Sequence, residues 1–133
     1  MNLRNLLVGL IGLSVFVPLA RAGDVYVIAH PALKFSPEML RDAYIGDKQF
    51  ASDVKLVLSD NAVAQTDFLS RVVKMEPTKY DNLWTRKSFR DALNPPALKS
   101  TDREVIEFVK RTPGAVGYSS AAPPAGVNLV QKY

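Results

Sequence analysis

The chain contains no cysteine and a single histidine among its 133 residues. The absence of cysteine excludes disulfide bonds, thiol catalysis, sulfur-bound metal sites and a lipid-attachment cysteine behind a leader. His30 has no second histidine or carboxylate at metal-ligand spacing, which makes it a poor metal site. The sequence therefore predicts no bound metal and no cofactor.

Catalytic motifs and long basic runs are also missing. The sequence contains no GxSxG, HExxH or P-loop pattern, and it shows no pair of carboxylates in a setting that indicates burial. No run of Lys or Arg is longer than two residues, so neither a nucleic-acid-binding face nor a polybasic membrane patch is indicated. The protein is not predicted to be an enzyme, and no nucleic acid is predicted as a partner.

The one long apolar run lies at the start of the chain. Arg4 precedes it, the run extends from Leu6 to Ala20, and Ala20-Arg21-Ala22 fits a small-x-small cleavage site. A membrane anchor is the alternative, but about 20 apolar residues are needed to span a bilayer, and this run is shorter and contains Pro18. We therefore expect a signal peptide over residues 1–22 and a soluble periplasmic protein after its removal.

Removal of the leader changes the charge balance. The 17 Lys and Arg residues include Arg4 and Arg21, so 15 remain against 13 Asp and Glu, and the formal charge falls from +4 to +2. Residues 23–133 are enough to bury one core and no more, which predicts a single domain. A small positive charge is compatible with a mild attraction for small anions.

Residues 100–119 carry the clearest local signals. Thr101 is predicted to cap a helix by accepting the amide three residues on, while Glu104 reaches back to the amide of Thr101. Pro113 and Gly114 end the helix, and the apolar run at residues 115–118 suits a buried strand. Half of an α/β unit is predicted here.

Apolar patterns elsewhere predict further strands and helices. Strands are expected over residues 24–30, 54–58 and 127–130, and helices from Ser36, over residues 62–73, and from Pro77 to before Asn94. The resulting order, β-α-β-α-α-α-β-β, favours an α/β sheet with helices packed on its faces.

Four segments, in this order, resemble the phosphate-type periplasmic substrate-binding proteins: FSPEMLRDAYIGD, VKLVLSD, NLWTRKSF and TDREVIEFVKRTPGAVGY. The last is the strongest match, because that family repeatedly ends this helix in a pGaiGY turn and strand. The resemblance covers nearly all of residues 23–133. It implies an α/β fold, a single lobe of a type 2 periplasmic binding protein-like fold with a mixed sheet flanked by helices, and kinship with phosphate ABC transporter receptors that hold oxyanions.

The resemblance also implies where a ligand would bind. In those receptors a Ser-Gly-Thr run, preceded by an Arg and an Asp, follows the strand equivalent to VKLVL and holds the phosphate at a helix start. This chain has SDNAVAQT there, without Ser-Gly-Thr and without Arg, and Asp60 is the only match. Because a helix start offers unpaired amides to an anion, the candidate ligand-binding residues are Ser59, Asp60, Asn61, Gln65 and Thr66. The alternative is that Ser59, Asp60 or Asn61 simply caps the helix.

His30 is a further candidate ligand-binding residue. It follows the first strand, and in α/β sheets ligands bind beyond the carboxyl ends of strands. A structural or solvent-exposed histidine is the alternative.

Aromatic residues occur at near-helical spacing at Tyr80, Trp84 and Phe89. Such a set is usually core, so we expect all three to be buried, and a stacking or carbohydrate-binding patch is the alternative. The neighbouring basic residues Arg86, Lys87 and Arg90 are expected on a solvated helix face rather than in an anion site.

Two functional hypotheses follow. The first is an exported relative of the phosphate receptors that binds phosphate or another small oxyanion or serves an uptake system. The second is a non-transport interaction module that keeps the fold, has lost the phosphate site and contacts a periplasmic or membrane protein. A homodimer that rebuilds a cleft between two copies is a third arrangement, motivated by the missing second lobe.

Overall fold

The computed structural model describes residues 23–133. The predicted signal peptide, at residues 1–22, lies outside the described residues and stays a prediction. Within the part of the chain that is described, no helix is long and apolar enough to cross a membrane.

Residues 23–133 form seven short strands and four α-helices. The strands are β1 Tyr26–Ala29, β2 Phe50–Ala51, β3 Val54–Lys55, β4 Val57–Asn61, β5 Ala97–Lys99, β6 Ala115–Ser119 and β7 Asn128–Lys132. The helices are α1 Leu40–Tyr44, which follows a 3-10 turn at Pro37–Met39, α2 Gln65–Phe68, which continues into a π-helical turn at Leu69–Val73, α3 Pro77–Asp91 and α4 Asp102–Arg111.

Five of the strands form one mixed sheet in the order β5-β4-β6-β1-β7. β4 is parallel to both β5 and β6, whereas β1 is antiparallel to β6 and β7. β2 and β3 make a separate hairpin. The predicted α/β class, with a mixed sheet flanked by helices, is confirmed.

The two faces of the sheet carry different helices because strand side chains alternate. On one face, Val116 and Tyr118 of β6 join a large core with α1, α2 and α3. On the other face, Ala115 of β6 packs with Val105 and Val109 of α4. Gly117 permits this approach, since a Cβ there would lie 2.7 Å from a Val105 methyl group.

The predicted cap of α4 is confirmed, with one correction. The amide of Glu104 donates to Thr101 Oγ1 at 3.1 Å. The Glu104 carboxylate, however, accepts the amide of Ser100 at 3.1 Å and not that of Thr101. Thr101 is extended (φ −138°, ψ 158°), and this carries the preceding amide into reach of the carboxylate.

The predicted strand over residues 54–58 and helix over residues 62–73 are both displaced. β3 ends at Lys55, β4 continues to Asn61, and the helix begins only at Gln65. The reason is tertiary: β5 pairs in parallel with Ser59, Asp60 and Asn61 and extends β4 through residue types that favour turns. β5 itself was not predicted, because a segment of three residues is too short to show the alternation of apolar and polar residues that is typical of a strand.

The aromatic set of α3 is only partly core. Tyr80 and Trp84 are buried as predicted, but Phe89 is 88% exposed, so the prediction that it is buried was wrong. Phe89 lies in the last turn of α3, and the buried residues of that helix are Tyr80 and Trp84. Lys87 on the same helix binds Asp47 at 2.6 Å instead of lying free in solvent.

Candidate ligand-binding site

The polar end of β4 consists of Ser59, Asp60 and Asn61, all three buried. Strand alternation sends Asp60 to the α1–α3 face of the sheet and its two neighbours to the α4 face. The three side chains therefore do not form one cluster, although they are consecutive in the chain. None of them caps the following helix, whose N-cap is Ala64 with no side-chain cap bond.

Asp60 is held by two tyrosine hydroxyls. Tyr118 donates to Oδ1 and Tyr80 donates to Oδ2, each at 2.7 Å. The Tyr118 ring is stacked on Phe68, with centroids 3.8 Å apart and planes 9° apart. Since Asp60 is only 3% exposed, the two phenol groups take the place of most of the hydration of its carboxylate.

Burial controls the proton affinity of this group. Loss of hydration raises the pKa of Asp60 to about 6, and the tyrosine hydrogen bonds limit that rise. The charge of Asp81 adds to the rise, and the Gln65 side chain opposes it. Burial and the charge of Asp60 likewise raise the pKa of Tyr80 and of Tyr118, so both phenols stay protonated as donors.

Both polar atoms of the Asn61 side chain form hydrogen bonds within the protein. Its Nδ2 donates to Asp102 Oδ1 at 2.7 Å and to the carbonyl of Tyr118 at 2.9 Å, while its Oδ1 accepts the amide of Val63 at 2.9 Å. The side chain thus joins β4, β6 and α4. Burial opposes ionisation of Asp102, but the Ser120 and Asn61 hydrogen bonds together lower its pKa. Asn61 therefore has a structural role, because its hydrogen bonds connect β4 to β6 and α4.

Ser59 lies on the same face as Asn61 and is fully buried. Its hydroxyl donates to the carbonyl of Val116 at 3.5 Å, and its own carbonyl accepts the hydroxyl of Tyr44 at 2.9 Å. A Cβ on Gly117 would lie 2.6 Å from Ser59 Oγ, so the Ser59 hydroxyl packs directly against the backbone of β6.

A cavity of about 610 Å³ opens in front of Asp60. We call it the Asp60 cavity. Gln65 and Tyr80 line it beside Asp60, and the exposed residues at its mouth include Asp81, Phe89 and Leu98. The lining contains hydroxyl, amide and carboxylate groups and no lysine or arginine; its residues are Asp60, Gln65, Tyr80, Asp81, Trp84, Thr85, Ser88, Phe89, Pro95, Pro96 and Leu98.

Two predicted site residues lie elsewhere. Thr66 is exposed and borders a separate depression near Lys74 and Pro77. His30 lies at the opposite end of the sheet from Asp60, because β1 runs antiparallel to β6. The backbone amide of His30 donates to the carbonyl of Ala115, the first residue of β6, at 2.9 Å. His30 Nδ1 accepts the amide of Ala32 at 3.1 Å. Of the six candidates, the structure brings only Asp60 and Gln65 to the Asp60 cavity.

The tyrosine donors of Asp60 were missed by sequence reasoning. Tyr118 belongs to the apolar run that predicts the buried strand β6, and Tyr80 belongs to the aromatic set expected in the core. The available signal was the hydroxyl itself, because a buried tyrosine usually finds a hydrogen-bond partner. Sequence does not show which partner, since Tyr118 and Asp60 are 58 residues apart.

Within residues 23–133, no three His, Asp or Glu side chains are grouped so as to hold a metal ion. The predictions of no metal, no cofactor and no enzymatic activity stay predictions.

The five-stranded mixed sheet flanked by helices is a periplasmic binding protein-like fold. A crystal structure of an ABC-type phosphate transport receptor from Vibrio cholerae is similar to this chain, with a TM-score of 0.57 and 14% sequence identity. The match covers 83% of this chain and 47% of the receptor, so the chain spans about half of that protein. No protein-family model and no curated protein matches the sequence.

The likeness to the receptor concerns the fold. It supports the first half of the predicted resemblance, a binding-protein-like lobe, and the neighbour is a transport receptor and not an enzyme.

Proposed function

We propose that this protein is an exported single binding lobe that takes a small, proton-carrying oxyanion, such as hydrogenphosphate, in the Asp60 cavity. The observation that carries the proposal is the buried carboxylate of Asp60, held by Tyr80 and Tyr118 at a solvent-open cavity. The likeness of the fold to a phosphate transport receptor supports the same class of ligand.

The carboxylate of Asp60 has acceptor capacity to spare. Its two oxygens offer about four lone-pair sites, and the two tyrosine hydroxyls occupy one on each oxygen. A ligand with its own O–H group donates to a remaining site. Gln65, which lines the same cavity, supplies an amide donor for another oxygen of the ligand, whereas the hydroxyl groups of Thr85 and Ser88 already donate to the carbonyls of Asp81 and Leu93.

The charges around the cavity restrict the ligand further. Asp60 and Asp81 are carboxylates, and no lysine or arginine is present in the lining to balance a fully ionised anion. An anion without a proton would face repulsion at Asp60, whereas a protonated one forms a charge-assisted hydrogen bond. The cavity therefore favours phosphate over sulfate, which carries no proton at neutral pH.

The Asp60 cavity is open to water, because the exposed residues Asp81, Phe89 and Leu98 border it. Binding is consequently weaker than in a closed cleft. The interaction module and the homodimer with a rebuilt cleft stay predictions, as do the signal peptide and the periplasmic location.

The test compares phosphate and sulfate by thermal shift and titration calorimetry at about pH 7.5, where a carboxyl group with a pKa of about 6 is ionised. Phosphate is expected to raise the Tm, as mass action requires of a ligand that prefers the folded state, and sulfate at equal ionic strength is not. Asp60→Asn is expected to weaken phosphate binding by about 10- to 100-fold, since it removes a charge-assisted hydrogen bond.

Asp53→Asn is the matched control, because it removes an exposed carboxylate between β2 and β3, outside the cavity. It should bind phosphate as the wild type does. Equal stabilisation by phosphate and sulfate, or unchanged binding in Asp60→Asn, would contradict the proposal.

A further inference from the structure

A second cavity, of about 440 Å³, lies between the β2–β3 hairpin and the connection from α3 to β5. We call it the hairpin cleft. Trp84, Pro95 and Pro96 line both this cleft and the Asp60 cavity, so the two cavities are separated by a thin wall. Its volume is within the range of small-molecule pockets, roughly 300–1,000 Å³.

The floor of the hairpin cleft is apolar. Leu56 and Trp84 are buried there, and Leu93 is half-buried beside them. Polar groups are found toward the rim, where Gln49 and Asn94 add amide side chains. An apolar floor with a few polar groups is typical of sites for small organic molecules.

The charge of the cleft is opposite to that of the Asp60 cavity. Its lining includes Lys48 and Lys55 and no acidic residue. Within residues 23–133, the ion pairs are Lys87–Asp47 and Lys132–Asp24, so neither lining lysine is neutralised by a carboxylate. Each ammonium group is carried on a flexible four-carbon stem and can close on an anionic group in the cleft.

The walls of the cleft are held by bonds that do not depend on a ligand. Trp84 Nε1 donates to the carbonyl of Tyr44 at 2.9 Å, and the amide of Leu56 donates to the carbonyl of Gln49 at 2.9 Å. Gly46 (φ +81°) allows close packing here, since a Cβ would lie 3.1 Å from the Trp84 ring. The cleft is therefore preformed, which lowers the entropic cost of binding.

We propose that the hairpin cleft is a second binding site, for a small organic anion with an apolar body. The anionic head binds Lys48 and Lys55, and the hydrocarbon part packs on Leu56 and Trp84. This site differs from the Asp60 cavity in the sign of its charge, because its lining has two lysines and no carboxylate, whereas the Asp60 cavity has two carboxylates and no lysine or arginine.

The test uses the fluorescence of Trp84, the only tryptophan in the chain. Three transparent probes are titrated into the protein: cyclohexanecarboxylate, its neutral amide cyclohexanecarboxamide, and acetate. Cyclohexanecarboxylate is expected to bind saturably. The amide, which lacks the charge, and acetate, which lacks the apolar body, are each expected to bind at least about tenfold more weakly.

Variants separate this site from the Asp60 cavity. Lys48→Gln/Lys55→Gln is expected to weaken cyclohexanecarboxylate by about tenfold, since two partly exposed ion pairs are lost. Lys34→Gln/Lys79→Gln, which removes two exposed lysines outside the cleft lining, and Asp60→Asn are both expected to bind the probe as the wild type does.

Equal affinity for the acid and its amide would overturn the proposal. So would unchanged binding in Lys48→Gln/Lys55→Gln, loss of binding in Asp60→Asn, or absence of saturable binding of all three probes. Because Asp60→Asn and the double lysine variant act on different cavities, failure at one site is distinguishable from failure at the other.

Discussion

At the scale of single residues, Asp60 is the side chain whose properties depend most on its surroundings. On a flexible chain it would be an ordinary carboxylate, but at the end of β4 it is buried against Tyr80 and Tyr118. Burial raises its pKa from 3.8 to about 6. A carboxyl group that titrates near neutrality changes both ligand preference and stability with pH.

We predict that Asp60 makes the protein less stable as the pH rises from about 4 to about 7. In this window the unfolded chain has lost the Asp60 proton while the folded protein still holds it, because the folded-state pKa is the higher one. The stabilisation is therefore complete below about pH 4 and is lost through about pH 6, by up to about 3 kcal/mol. Asp60→Asn cannot titrate and removes this slope.

Urea unfolding of wild type and Asp60→Asn across that pH range measures the effect. The unfolding free energy of the variant should rise relative to that of the wild type as the pH increases. Asp53→Asn controls for the loss of one charge, because Asp53 is exposed in the hairpin turn. Parallel pH curves for wild type and Asp60→Asn would rule the prediction out.

The residues around Asp60 show what can be predicted at this scale. Their types, Ser, Asp and Asn, favour turns and caps, and a turn with a cap was accordingly one of the two expectations. In the structure they are strand residues, since each finds a partner in the protein interior: the Ser59 hydroxyl on Val116, Asp60 with its tyrosines, and Asn61 with Asp102. Those partners are remote in sequence, so residue type alone was misleading.

At the scale of elements, α4 is the helix that the sequence specifies best. Its start is capped by Thr101, its last turn contains Lys110 and Arg111, and its apolar stripe buries Val105 and Val109. All of these signals are local, within ten residues of one another. The helix α4, its ends and its buried face were therefore all predicted correctly. The one error was the amide that the Glu104 carboxylate accepts, which belongs to Ser100 and not to Thr101.

We predict that Thr101→Ala destabilises the protein by about 1 kcal/mol, because the amide of Glu104 loses its acceptor. Thermal or urea unfolding measures the change. Thr78→Ala is the matched control: Thr78 lies in the first turn of α3, whose N-cap Glu76 makes no side-chain cap bond. The control should change stability by less than about 0.5 kcal/mol, and equal losses in both variants would refute the capping role.

β5 is the element that sequence reasoning could not find. It has three residues, follows Asn94-Pro95-Pro96, and leaves Leu98 61% exposed. Its pairing with β4 is parallel and joins residues almost 40 positions apart, such as Ser59 and Ala97. Neither the apolar periodicity nor the composition of residues 97–99 indicates that they pair with β4. Yet β5 borders the Asp60 cavity, so a missed strand also hid part of the candidate site.

At the scale of the whole molecule, the protection of backbone amides from hydrogen exchange is expected to vary across the sheet. β6 lies between β4 and β1 and all five of its residues are buried, whereas β5 is a short edge strand that is largely exposed. Edge elements with few buried contacts open locally, while central strands open only with global unfolding.

We predict that amide hydrogen exchange is slower at Val116 and Tyr118 than at Leu98 by a factor of about 100 or more. Exchange measured by NMR at several denaturant concentrations distinguishes local from global opening. Amides of β6 should follow the global unfolding free energy, and those of β5 should be nearly insensitive to denaturant. Equal protection of the two strands would show that the sheet opens as one unit.

The class of fold, the capped helix α4, the long helix from Pro77 and the first and last strands were all predictable from the sequence. Caps, turns and apolar periodicity depend on residues that are close together in the chain, so the sequence reveals them directly. The contacts of Asp60 with Tyr80 and Tyr118, which are 20 and 58 residues away, and the position of His30 at the far end of the sheet depend on the tertiary structure. Strand order and direction set these distances, and no local signal encodes them.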